Sequence, residues 1–218
     1  MSPDELEFGA ELSIISPQVE WPTAQAQPLR LGLMASGNGS NLAAIANAIA
    51  AGQLNASIAV LIYNQPEARV AQRAEQLGIP AVLLDHRAFP NRELLDAAII
   101  QTLLQAEVDW VIMAGWMRRV TQVLIAAFPQ RILNIHPSLL PSFPGLRAVE
   151  QALKAGVKIS GCTVHIVELA VDSGPIIMQA AVPVWPNDTA PTLQARIQQQ
   201  EHRIYPQAIA LAAQQSDE

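Results

Sequence analysis

The hydrophobic positions of this chain fall into two rhythms. Short, nearly unbroken apolar runs occur at 31–35, 57–63, 81–84, 108–114 and 132–135. Between them lie segments whose apolar residues recur with helical spacing. The runs predict buried strands, because a strand covered on both faces needs no polar alternation. The segments between predict helices at 41–51, from Pro66 to a stop at Gly78, from an Asn91 cap through about 105, and at 121–128. Pro66 suits a first helical turn, where its missing N–H leaves nothing unpaired. Asn91 suits an N-cap, where its side chain can accept from a free backbone N–H. Strands and helices alternating at this spacing predict βαβ units, hence an α/β fold with a mostly parallel sheet and helices on both faces.

Beyond Pro144 the rhythm changes. Residues 148–155 read as a helix ended by Gly156. Residues 161–168 and 176–184 read as strands, joined by the turn Val171-Asp172-Ser173-Gly174-Pro175. They predict an antiparallel C-terminal pair added to the parallel half. Residues 189–213 read as a long last helix in which Pro206 predicts a kink or a break. Residues 1–28 carry four prolines, five acids and little periodicity, and read as a flexible acidic leader. The folded unit is then a single domain over 29–213, with 214–218 a frayed tail.

Composition agrees with that division. A chain of 218 residues, 50% hydrophobic and 15% charged, can bury a full core and is not disordered. Its net charge of −6 counts against binding a nucleic acid by phosphate neutralisation. The acidity, however, sits at the ends. Setting aside Asp4, Glu5, Glu7, Glu11, Glu20, Asp217 and Glu218 leaves 12 acids against 13 bases. The lone Cys162 excludes an internal disulfide and any CxxC site, and predicts a reducing, cytoplasmic setting. No secretory signal is readable, since the first base is Arg30. Residues 31–66 are uncharged, but polar side chains such as Asn38, Asn41, Asn47 and Asn55 interrupt them, so no membrane span of ~20 apolar residues exists.

Three groups of residues could carry chemistry. Ser36-Gly37-Asn38-Gly39-Ser40-Asn41 joins the first strand to the first helix. A glycine-rich turn there presents free N–H groups and the positive helix end to a phosphate. It lacks the lysine of a P-loop, and Leu42 replaces the third glycine of a dinucleotide fingerprint, so its spacing suits a monophosphate. The same residues also read as a plain helix cap. Second, Asn134 and His136 stand two apart at a strand end, hence on one face. An amide beside an imidazole can polarise a carbonyl and move a proton; a structural pair would look the same. Third, Asp172 is ordinary turn chemistry unless folding brings it to His136, where it would orient the ring and stabilise an imidazolium. The remaining histidines, His86, His165 and His202, lack metal-ligand spacing, so no metal site is expected.

Taken together, these blocks resemble the folate-dependent phosphoribosylglycinamide formyltransferase family of purine biosynthesis. The similarity rests on Ser36–Asn41, on Asn134-Ile135-His136-Pro137-Ser138-Leu139-Leu140-Pro141, and on Gly161-Cys162-Thr163-Val164-His165 followed by Asp172-Ser173-Gly174-Pro175. It also includes the closing Glu201-His202-Arg203-Ile204-Tyr205-Pro206, and spans about 29–212. The resemblance implies a Rossmann-like formyltransferase fold. It implies transfer of the formyl group of 10-formyltetrahydrofolate, used as co-substrate, to the amine of 5'-phosphoribosylglycinamide, with no metal. By the same resemblance Asn134, His136 and Asp172 are catalytic. Gly39, Ser40 and Asn41 meet the ribotide phosphate. Met117, Arg118, Arg119, Val120 and Asn134 meet the folate, joined by an arginine that is Arg87 in the better-fitting alignment and Arg92 in the other. Arg119 and Arg147 depart from the usual residues at their positions. The implied partners are these small molecules, not a nucleic acid or a membrane, with a homodimer left open.

Two relatives of that family are disfavoured. A formyltetrahydrofolate hydrolase would carry an extra small domain ahead of the catalytic one, and only about 28 residues precede the first strand here. A methionyl-tRNA formyltransferase would carry a C-terminal domain, for which little chain follows residue 184. A nucleotide-sensing domain without catalysis would keep the glycine loop but have no need for Asn134, His136 and Asp172 to converge.

Overall fold

The computed structural model describes residues 14–18 and 27–216. Its strands are β1 (Ile14–Ser16), β2 (Leu29–Ala35), β3 (Ala56–Tyr63), β4 (Ala81–Leu83), β5 (Trp110–Met113), β6 (Ile132–His136), β7 (Ile159–Ile166) and β8 (Ile176–Pro183). Its helices are α1 (Ser40–Ala50), α2 (Val70–Gln76), α3 (Arg92–Gln105), α4 (Gln122–Ala127), α5 (Ala148–Ala155) and α6 (Ala190–Gln215). One sheet holds all eight strands in the order β1-β8-β7-β6-β5-β2-β3-β4. Strands β2 to β6 are parallel, and β7, β8 and β1 continue the sheet antiparallel.

The chain leaves β2 toward β3 and β4, then returns to build β5 and β6 on the other side. The reversal between β2 and β5 opens a crevice at their carboxyl ends, where open α/β sheets bind ligands. Alternation along the central strands feeds two cores. Leu31, Leu33 and Ala35 of β2 join Trp110, Ile112 and Ala114 under α1 and α6. Met34 joins Val111 and Met113 under α3 and α4, with Ile99, Leu103 and Leu124. Covering both faces explains why these strands are apolar throughout.

Four expectations change in detail. The second helix starts at Val70, not Pro66. Ala68 N–H donates to Gln65 O (3.0 Å), so Pro66 occupies the second position of a tight turn, which also fits its fixed φ. Helix α6 runs unbroken through Pro206, because the flanking Ile204, Tyr205, Ala208 and Ile209 are all buried in the core. Tyr205 adds a further anchor, its hydroxyl lying 3.1 Å from both Met113 O and Leu133 O. The same helix extends to Gln215, so residues 214 and 215 of the expected tail are helical, while 217–218 lie outside the described residues. Within the expected leader, Ile14–Ser16 pairs antiparallel with Gln179–Ala181 of β8. Residues 1–13 and 19–26 lie outside the described residues. No helix among the described residues is long and apolar enough to cross a membrane.

Candidate functional site

Strand β6 ends in Asn134-Ile135-His136, which places both polar side chains at the carboxyl edge of the sheet. Pro137 stops the strand, and the following loop is tied down from the neighbouring strand. Thr163, opposite His136 in β7, donates its hydroxyl to Ser138 O (2.7 Å) and accepts Leu140 N–H (3.0 Å). Gln179 of β8 adds bonds to Leu140 O (3.0 Å) and to the Thr163 hydroxyl (2.9 Å).

Asp172 reaches this edge from the β7–β8 turn. Its φ of 52° is left-handed, a conformation Asp tolerates better than most residues. The turn is pressed onto the end of β7: a Cβ on Gly174 would collide with Ile166 O, and Ile166 N–H donates to Pro175 O (2.9 Å). Asp172 Oδ2 thereby lies 3.3 Å from His136 Nδ1 and accepts Gly145 N–H at 2.7 Å. Burial by itself would raise the Asp172 carboxyl. The neighbouring His165, the Gly145 N–H and the charge of His136 outweigh it and hold the group below its ordinary value. His136 Nε2 donates to Phe143 O at 2.9 Å. Both ring nitrogens thus face oxygen acceptors, and a ring carrying both protons satisfies both.

Asn134 is oriented by a residue that sequence spacing did not single out. His165 stands opposite it in β7. His165 Nδ1 lies 2.9 Å from Ile166 O, which can only accept, so Nδ1 carries the proton. In the neutral ring Nε2 is an acceptor, and Asn134 Nδ2 donates to it at 3.1 Å; a second proton on Nε2 would instead face Asp172 Oδ1, 3.7 Å away. This fixes which end of the amide is nitrogen and leaves its second N–H for another oxygen.

The glycine loop leaves β2 and ends at Gly39, which caps α1 with φ 76°. Ser36 joins it to the segment after β5. Ser36 N–H donates to Gly115 O (3.0 Å), and its hydroxyl accepts Met117 N–H (2.9 Å). Behind the loop, α6 supplies two more polar side chains. Gln198 donates to the Ser40 hydroxyl (2.9 Å), and Asn41 Nδ2 donates to Glu201 Oε2 (3.1 Å). Burial pushes the Glu201 carboxyl up, against the lowering effect of that bond. Asn41 Oδ1 is buried with no partner among the described residues.

Residues 29–209 match the family of formyl transferases. The phosphoribosylglycinamide formyltransferase of Bacillus subtilis is 42% identical over 180 residues, 83% of this chain and 92% of that protein. The chain belongs to the phosphoribosylglycinamide formyltransferase family. It is also 44% identical over 184 residues to the trifunctional purine biosynthetic protein adenosine-3 of Drosophila melanogaster; that match covers 84% of this chain but only 14% of the larger protein. Glycinamide ribonucleotide transformylase 1 from Symbiobacterium toebii superposes with a TM-score of 0.85 at 49% identity, over 87% of this chain and 90% of that one.

The fold brings Asn134, His136 and Asp172 together, and sets Gly39, Ser40 and Asn41 at the start of α1. Met117, Arg118, Arg119 and Val120 follow β5 across the crevice, with Met117 72% exposed. Arg87 lies past β4 in a short 3-10 turn, and its exposed guanidinium is engaged by Asp85 at 2.7 Å. Arg92 opens α3. No cluster of metal-binding side chains occurs among the described residues. The residues missed by sequence reasoning are His165, Gln198 and Glu201. Register would have shown the first. The other two fall on the loop-facing side of α6, a side that nothing in the helix's own spacing marks.

Proposed function

We propose that this chain transfers the formyl group of 10-formyltetrahydrofolate directly to the amine of 5'-phosphoribosylglycinamide, a step of purine biosynthesis. The observation that carries the reading is the 3.3 Å approach of Asp172 to His136 beside Asn134. The ribotide phosphate seats on the N–H groups of residues 39–41, aided by the positive end of α1. The folate lies along Met117, Arg118, Arg119 and Val120, near Asn134, with Arg87 as its outer cation.

The reaction needs an electrophile held steady and one proton moved. The ribotide amine forms a bond to the formyl carbon, and the carbonyl π pair moves to oxygen. The free Asn134 N–H and the His136 Nε2–H donate to that oxyanion, in a site where such donors are already aimed. Before substrate binds, the Nε2–H donates a hydrogen bond to Phe143 O, so the reacting oxygen replaces one acceptor with another. On collapse the carbon–nitrogen bond to the folate breaks, and its electron pair stays on the folate nitrogen. That nitrogen takes a proton from His136, and the attacking nitrogen returns one to the His136–Asp172 pair, so no net proton is consumed. The amine attacks without a covalent enzyme intermediate, so no nucleophilic side chain is required.

The test is turnover with 10-formyltetrahydrofolate, with and without glycinamide ribotide. The expected result is consumption of the donor that depends strictly on the ribotide and yields formylated amine. Consumption without the ribotide would make water the acceptor and overturn the assignment.

A further inference from the structure

The glycine loop has no charge of its own. No charged side chain lies between residues 31 and 66, yet a phosphate monoester brings a charge of about −1.5 to −2. The end of α1 supplies roughly half an elementary charge. A cation must come from elsewhere in the fold, and the geometry points to Arg73 of α2 as the residue that binds the ribotide phosphate from above the loop. This deepens the reading that residues 39–41 seat that phosphate and rests on it.

Arg73 is built onto the loop. Its Nε donates to Asn38 O at 2.7 Å, while its two terminal nitrogens have no partner among the described residues. The start of α2 is fixed to the same loop. Val70 N–H donates to Gly37 O (3.1 Å), and a Cβ on Gly39 would lie 2.6 Å from Val70 Cγ2. Arg73 therefore projects from a helix turn that cannot shift without moving the loop.

The space beside it is suited to an anion. Ser40, Arg73, His202 and Arg203 share the lining of a cavity of about 710 Å³, and no carboxylate lines it. His202 Nε2 is buried there with no partner among the described residues. Burial, and after it the charge of Arg73, hold His202 below its ordinary value. Arg203 is turned to the Gln200 side chain (3.1 Å). Arg73 donates directly to the loop backbone.

The alternative is that Arg73 only braces Asn38. The two roles separate when glycinamide ribotide is compared with its dephosphorylated riboside. For Arg73→Gln, the preference for ribotide over riboside in kcat/KM falls about tenfold or more, through KM. Arg73→Lys, which keeps the charge, recovers part of it. The ribotide KM also loses steepness in its dependence on ionic strength. Equal losses on both compounds, or no loss on either, would overturn the inference. Gly39→Ala tests the underlying reading separately. If Gly39→Ala lowers the ribotide preference and Arg73→Gln does not, the loop binds phosphate and the Arg73 inference alone fails. If neither lowers it, both fail.

Discussion

Asn134 and His165 stand directly opposite each other in the β6–β7 ladder, with the amide nitrogen of one 3.1 Å from the imidazole Nε2 of the other. The imidazole is itself set by Ile166 O, so the orientation of the Asn134 amide is decided by backbone geometry one strand away. An amide free to rotate would offer its oxygen as often as its nitrogen to a developing oxyanion. His165→Phe keeps a ring in the core position and removes the acceptor. The expected result is a kcat lower by roughly 10- to 100-fold, the scale of a misplaced reacting geometry, with little change in ribotide KM. Steady-state kinetics at saturating folate checks it; a kcat equal to that of the parent chain would show that His165 does not orient Asn134.

Asp172→Asn is a close test of the pair with His136. Asn tolerates the left-handed backbone at φ 52° as Asp does, so the turn is kept and only the charge is lost. Formyl transfer is expected to fall about 10²- to 10⁴-fold, the usual range for a proton-transfer group. Ribotide binding, read by calorimetry, is expected to stay within about threefold, well inside the tenfold that 1.4 kcal/mol represents. His136→Ala should behave alike. Activity near the parent level in either variant removes the assigned role.

Gly39 joins conformation and packing at one position. Its φ of 76° disfavours a side chain, and an added Cβ meets Val70 at 2.6 Å and its backbone Cα at 3.1 Å. Gly39→Ala is expected to cost about 1–3 kcal/mol of stability and to raise the ribotide KM by displacing the α1 N–H groups. Urea denaturation alongside kinetics checks both; an unshifted midpoint would mean that α2 yields without cost.

Acid stability has a local source at the start of α6. Asp188 pairs with Arg196 at 2.7 Å, accepts Trp185 N–H (2.8 Å) and accepts the Thr192 hydroxyl (2.8 Å). Arg196 lies 3.5 Å over the Trp185 ring. The Arg196 hydrogen bonds, offset by some burial and aided by Trp185 and Thr192, hold the Asp188 carboxyl down at about 2. An unfolded Asp titrates near 3.9, so the native state binds the proton less readily. The stabilisation is therefore complete above about pH 4 and is lost as the pH falls toward 2. Asp188→Asn should flatten that part of a plot of unfolding free energy against pH, and cost about 1.5–3 kcal/mol at pH 7, the worth of charged hydrogen bonds. An unchanged slope would assign the acid sensitivity elsewhere.

The parallel half of the fold was legible because each strand is buried on both faces and each helix carries its own punctuation. Asn91 accepts Leu94 N–H, as an N-cap should. Pro66 misled because a proline opens a tight turn as readily as a helix. Of the kink or break that Pro206 predicts, the break is excluded, because the helix continues where the residues around it are buried. In the site, Asn134 and His136 were visible as a pair because a strand's two-residue period is a local rule. The approach of Asp172 was only conditional, since it depends on where an antiparallel turn lands. His165 needed the β6–β7 register, which no local pattern contains. Gln198, Glu201 and Arg73 needed the packing of α6 and α2 against the glycine loop. The charge arithmetic pointed to a near-neutral body with acidic ends, but it did not reveal that a stretch of the leading segment pairs with the sheet.

That short β1 pairing has a consequence for assembly. Strand β8 would otherwise end the sheet as an open edge, and open edges invite another chain to add its own strand. Ile14–Ser16 occupies the ladder at Gln179–Ala181, the middle of β8. A second copy joining sheet to sheet at this edge would first have to displace the chain's own residues. The segment ahead of the catalytic body thus acts as a built-in competitor for that edge, and self-association through β8 becomes a matter of exchange rather than simple contact.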